Sequence, residues 1–224
     1  MTRRKSSVEP AGNILVTGFE PFGGEDINPA WEICRDLPEA IGAARIHVLQ
    51  VPCEFRAAIE VVAQEIERLE PAIILSLGQA GGRCAMSVER VAINVDDARI
   101  DDNAGNAPVD EPVAGGGPAA YFATVPVKAM VAAMREADVP AQVSNTAGTF
   151  VCNHLMYGVL HFLAASRREA RAGFIHVPWL DAQALARPSE PSMALATMVR
   201  GVEAAIAAAL EHAVDLKIGG GEIA

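Results

Sequence analysis

In the stretch GTFVCNHLMYGVLHF, residues 148–162, a single cysteine, Cys152, opens an otherwise apolar segment with helical spacing. A thiol in the first turn of a helix sits at the positive end of the helix dipole, among amides that lack intrahelical partners, and both features favour the thiolate. Those amides are also placed to hold a developing oxyanion. A nucleophile of this kind needs a base. Among the five histidines, His176 in GFIHVP stands near the end of an apolar strand, on the edge where loops and helix starts converge in a parallel sheet. His154 lies too close to Cys152 along the helix to bend back to it, and His47 and His212 read as surface positions. Glu89 in SVERVAINV is a carboxylate beside an otherwise apolar strand, where charge is costly unless paired. It is the candidate third group that holds the imidazole. Spacing alone leaves duller readings open: Cys152 as a packing thiol, His176 as a core histidine, and Glu89 as half of a surface pair with Arg90.

These residues need a frame. NILVTGF (13–19) and AIILSLG (72–78) are short apolar runs that read as buried strands, and EFRAAIEVVAQEIERLEP (54–71) between them has helical spacing closed by Pro71. VERVAINV (88–95) reads as a further strand. Residues 96–118 are too rich in Asp, Gly and Pro to be regular and form either a pocket wall or lid or a simple surface loop. A helix in VPVKAMVAAMREADVP, a strand in AQVSN, a helix from Thr149 to about Ser166 capped by Thr149 or Thr146, a strand over 172–180 and a helix over 191–214 complete the pattern. Strand, helix, strand alternation predicts an α/β fold: a single-domain three-layer α/β/α sandwich over 13–215 with a twisted, mostly parallel (mixed) central sheet. Residues 1–12 read as a disordered extension and 216–224 as a disordered tail.

The chain carries 28 acidic against 18 basic residues, spread along its length, which argues against a nucleic-acid partner. No apolar run approaches the roughly 18 residues that span a bilayer, so no membrane association is expected. The N-terminus lacks the apolar core of a signal peptide, which makes a cytoplasmic location the expectation. The four cysteines form no CxxC pair and are expected as reduced thiols. Neither a metal nor a cofactor is implied, His154 and His161 reading as structural.

The stretches ILVTGFEPFGG followed by Asn28-Pro29, GQAGGR, ERVAINVDDARI, GPAAYF, SNTAGTFVCNH and GFIHVP occur in one order from about residue 13 to 180. Together they resemble the pyroglutamyl-peptidase I, or pyrrolidone-carboxylate peptidase, family of cysteine peptidases. The resemblance implies removal of an N-terminal pyroglutamyl residue from peptides by a triad of Glu89, Cys152 and His176. It also implies that Gln79, Arg99 and Ile100 line the site, with a slot for the lactam between Phe19 and Phe22. Asn28 would support that loop or bond the ring, and Phe150 and Val151 would help to close it. A homotetramer is a further expectation from the resemblance. Departures are the polar extension before Asn13, Asp101 where relatives often have Pro, and Trp179 where Tyr is common. The alternatives are a noncatalytic lactam- or peptide-binding homologue and a phosphorylase-like α/β enzyme; GQAGGR lacks the glycine spacing of a dinucleotide fingerprint.

Overall fold

The structure, a computed structural model, describes residues 12–221. In chain order its elements are β1 (Ile14–Phe19), α1 (Pro29–Asp36), β2 (Ala40–Ile41), β3 (Ala44–Val51), α2 (Ala57–Leu69), β4 (Ile73–Gln79), β5 (Met86–Glu89), β6 (Val91–Ile93), β7 (Ala120–Phe122), α3 (Val127–Glu136), β8 (Ala141–Ser144), α4 (Val151–Ser166), β9 (Arg171–Val177), α5 (Asp181–Ala184) and α6 (Leu195–Glu211). Strands β1 and β4 are buried at every residue, as continuous apolar runs must be when helices cover both faces of a sheet. The seven-stranded sheet runs β2-β3-β1-β4-β9-β5-β8. Its β1–β3, β1–β4, β4–β9 and β5–β8 pairs are parallel, whereas β5 runs antiparallel to β9. The fold is the expected mixed α/β/α sandwich.

Helices α2 and α4 pack on one face with Leu15, Ile74 and Phe174. Helices α1, α3 and α6 cover the other, against Val16, Leu75 and Ile175. In α2 the buried residues Ala58, Val62, Ile66 and Leu69 repeat at the three-to-four spacing of one helical face. Helix α4 is more deeply set, with ten of its residues from Val151 to Leu163 buried.

The expected strand over 88–95 is two elements. β5 ends at Glu89 inside the large sheet, and β6 pairs with β7 in a separate two-stranded ribbon. Arg90 makes the junction: its amide donates to the Ser144 carbonyl at 2.8 Å and its carbonyl accepts from Ala123 at 2.9 Å. Glu89 is thereby the last residue to enter the main sheet. A second correction concerns α4, whose N-cap is Phe150 without any side-chain cap; the Thr149 hydroxyl donates instead to the Asp97 carbonyl at 2.7 Å.

The 96–118 segment is pinned rather than free. The Asp102 carboxylate accepts the amides of Phe55, Ala104 and Asn106 at 2.8–2.9 Å, and Asn103 Nδ2 donates to Glu20 and to the Pro21 carbonyl. Residues 216–221, expected in a disordered tail, lie against α3 and β8, with Lys128 Nζ donating to the Ile218 carbonyl and Arg90 to that of Gly220. Residues 1–11 and 222–224 of the expected disordered ends lie outside the described residues.

Candidate active site

The parallel strands β1, β4 and β9 end at one edge of the sheet, and the start of α4 is carried to it. Gly78, near the end of β4, is in register with His176 of β9. A Cβ on Gly78 would lie 2.8 Å from Cys152 Sγ and 2.7 Å from Phe174 Cζ. Only glycine leaves room for the thiol to rest on the strand beside His176. Glu89 is in register with Phe174, two residues before His176, and so shares its face of the sheet. Glu89 Oε1 accepts from His176 Nδ1 at 2.7 Å, with Glu89 0% and His176 4% exposed. A carboxylate only accepts, so the Nδ1 proton is fixed and Nε2 is the free basic nitrogen.

Glu89 Oε1 takes a second bond, from Arg83 Nη1 at 2.8 Å. Burial works against the Glu89 charge, but the hydrogen bond and charge of His176, then the nearby Ser144 hydroxyl and last the Arg83 charge, hold its carboxyl below the ordinary value. Burial lowers the pKa of His176, the Glu89 bond opposing and Arg83 reinforcing that shift. The Cys152 thiol is pushed up to about 12 by desolvation and by the Glu89 charge. The pull of the helix dipole towards thiolate is thus opposed by loss of water and by a nearby full negative charge. Burial thus disfavours charge on both Cys152 and His176. No hydrogen bond joins them in the structure, an arrangement common before substrate tightens a site.

The first intrahelical amide bond of α4 is His154 to Phe150, 3.1 Å, which leaves the amides of Val151, Cys152 and Asn153 outside the ladder. With no side-chain cap on them, they are the donors an oxyanion beside Cys152 would meet.

The other expected residues divide. Phe22 lies tilted against Phe150 at 6.2 Å between ring centroids, and Phe150 meets the edge of Phe55 at 5.4 Å. Phe19 is buried and packs on Phe174 at 6.5 Å, so the two phenylalanines of TGFEPFGG belong to different ring pairs. Val151 is fully buried. Asn28 spends its side chain on structure: Oδ1 accepts from Ala30 N and Nδ2 donates to the Glu20 carbonyl, both at 3.0 Å. It supports the loop and caps α1. Gln79 Oε1 accepts from Gln183 at 3.0 Å. Arg99 is exposed and Ile100 is 51% exposed.

Three participants were not anticipated. Arg83, not Arg90, is the cation on Glu89; the signal available was an Arg in GQAGGR just across a tight turn from a carboxylate that needed a partner. Gln183 and Phe55 carry no local mark in the sequence. His154 is structural, its Nδ1 bonded to Asp96 at 2.8 Å and its Nε2 accepting the Arg56 amide at 2.8 Å.

The family model for pyroglutamyl peptidase matches residues 12–212. The chain belongs to the pyroglutamyl peptidase family. It is accordingly an enzyme, a hydrolase of peptide bonds. A pyrrolidone-carboxylate peptidase of Klebsiella pneumoniae is 56% identical over 209 residues, 93% of this chain and 97% of that protein. One from Cupriavidus necator is 54% identical over 212 residues, 94% and 98% of the two chains. Among solved structures, pyroglutamyl peptidase I of Bacillus amyloliquefaciens superposes with a TM-score of 0.89 at 43% identity, covering 92% of this chain and 100% of its own. The pyrrolidone carboxyl peptidase of Thermococcus litoralis gives 0.89 at 35% identity, covering 93% and 99%. Among the described residues no group of three or more His, Cys, Asp or Glu side chains is placed to hold a metal ion, and no helix is long and apolar enough to cross a membrane.

Proposed function

We propose that the chain removes N-terminal pyroglutamyl residues from peptides through a thioester on Cys152. His176 Nε2 takes the thiol proton as the sulfur attacks the pyroglutamyl carbonyl, and the oxyanion forms against the amides at the start of α4. The imidazolium then gives its proton to the departing amine. Water, deprotonated by the same imidazole, cleaves the thioester. Glu89 keeps Nδ1 protonated and stabilises the imidazolium while it exists.

The observation that carries this reading is the buried 2.7 Å Glu89–His176 bond, with the Cys152 sulfur lodged on the glycine in register with that histidine. The lactam carries no charge, whereas an N-terminal proline brings an ammonium whose desolvation costs several kcal/mol, of the order generally met on burying charge. Phe22 and Phe150 at the mouth offer flat apolar surface to the ring, and Asn28 holds the loop that presents Phe22. The test is a fluorogenic pyroglutamyl amide run beside the matching prolyl amide. Hydrolysis of the first alone, lost in Cys152→Ala, is expected; equal hydrolysis of both, or an active Cys152→Ala, overturns the reading.

A further inference from the structure

Arg83 reaches the triad from the turn between β4 and β5. Its guanidinium donates to the same oxygen of Glu89 that accepts from His176, while Glu89 Oε2 is buried without a partner. Of the three groups only Arg83 has appreciable exposure, its side chain being 26% accessible against 5% for His176 and 0% for Glu89. The turn that delivers it is shaped for the purpose. Gly82 takes a φ of +81°, and a Cβ on Gly81 would run into the Trp179 ring. Resting on the triad assignment above, we propose that Arg83 is a positioning residue for the reaction, fixing the Glu89 carboxylate and governing through it how readily His176 takes and gives up the thiol proton.

The reasoning is electrostatic and geometric. One carboxylate oxygen shared by two donors binds each less strongly than it would bind one alone, so the guanidinium draws Glu89 away from a developing imidazolium. A fixed cation also disfavours a second positive charge on His176 and favours negative charge on the Cys152 sulfur. From its place on Glu89 Oε1, Arg83 therefore adds to the fall in His176 basicity and opposes the rise at Cys152. The ionisable groups facing His176 are Glu89 from β5, Arg83 from the β4–β5 turn and Cys152 from α4; β4 presents only Gly78 beside it. Without Arg83, Glu89 would act on the imidazole unopposed, and His176 would stay protonated, hence useless as a base, to higher pH.

The experiment is the pH profile of kcat/KM for Arg83→Gln, Arg83→Met and Arg83→Lys, with Tm measured on the same preparations. The two neutral variants are expected to move the acid limb to higher pH by about half a unit or more, the size a neighbouring unit charge commonly exerts. Arg83→Lys is expected to return it close to the parent position. An acid limb that stays in place in the neutral variants, a fall in activity at all pH values that follows Tm, or failure of both neutral variants to fold while Arg83→Lys folds would each make Arg83 a structural counter-ion and overturn the proposal. Cys152→Ala assayed alongside keeps the two claims apart: its inactivity with an unmoved limb overturns the role of Arg83 alone, while its activity overturns the triad itself.

Discussion

Replacing Gly78 by alanine adds one methyl group at the point where thiol, imidazole strand and Phe174 meet. The new carbon would sit 2.8 Å from Cys152 Sγ and 2.7 and 2.9 Å from two carbons of the Phe174 ring. Comfortable separations are about 3.5–4.0 Å, so the sulfur must retreat by roughly 0.7–1.2 Å or swing to another rotamer. Either movement takes it out of line with His176, and misplacement of a reacting group by about 1 Å costs on the order of 10²-fold in rate. Overpacking itself costs roughly 1–3 kcal/mol, which for a chain of this size lowers Tm by about 2–12 °C. The assay is kcat per folded molecule with Tm by calorimetry. Gly158→Ala is the control: it drives a methyl into Ile59 between α4 and α2, lowering Tm while leaving kcat. Shrinking the ring with Phe174→Leu relieves only the other half of the clash, so the double variant should stay slow. A folded Gly78→Ala enzyme with kcat within about twofold of the parent would refute the placement of the thiol.

Glu89→Gln should lower kcat by about 10²–10⁴-fold while sparing KM, since an amide can hold the ring but cannot stabilise imidazolium; an unchanged kcat removes Glu89 from the triad. Asn28→Ala deletes the cap of α1 and the tie to Glu20, lowering stability by about 0.5–2 kcal/mol and raising KM through the Phe22 loop, and unaltered Tm and KM would contradict this. Cys34, Cys53 and Cys152 all have thiols raised above the ordinary 9.0 by burial. The unfolded chain therefore releases thiol protons first, so stability present below about pH 9 declines as pH rises towards 12. Tm followed from pH 8 to 11 checks the sign, and a flat or rising curve would be the contrary result.

The parts of this molecule legible from sequence are those where one physical rule acts locally. β1 and β4 announce themselves as apolar runs because both their faces are buried, and Cys152 and His176 are marked by element ends, where parallel α/β folds gather chemistry. Asn28-Pro29 begins α1, Asn capping and Pro occupying the first helical position. The break after Glu89 is invisible because apolar residues resume directly after Arg90 and run on as β6. Glu89 itself shows only as a costly charge; its partners lie 87 residues away at His176 and across a glycine turn at Arg83. Desolvation of the Cys152 sulfur and the approach of Glu89, which oppose the pull of the dipole, are likewise created by tertiary packing. Gln183 meets Gln79 from 104 residues away, and no local pattern foretells such a contact.

The central claim is a covalent intermediate on one named sulfur. A pyroglutamyl aryl ester, whose good leaving group lets acylation outrun hydrolysis, can be mixed with enzyme, quenched in acid within the first turnover and mapped by peptide mass spectrometry. The account predicts a pyroglutamyl thioester on the peptide containing Cys152, absent in Cys152→Ala and formed with a burst of the phenol close to one per active site. Turnover of the ester at the parent rate with the adduct on Cys34, Cys53 or Cys84 instead, or in the Cys152→Ala enzyme, would contradict it.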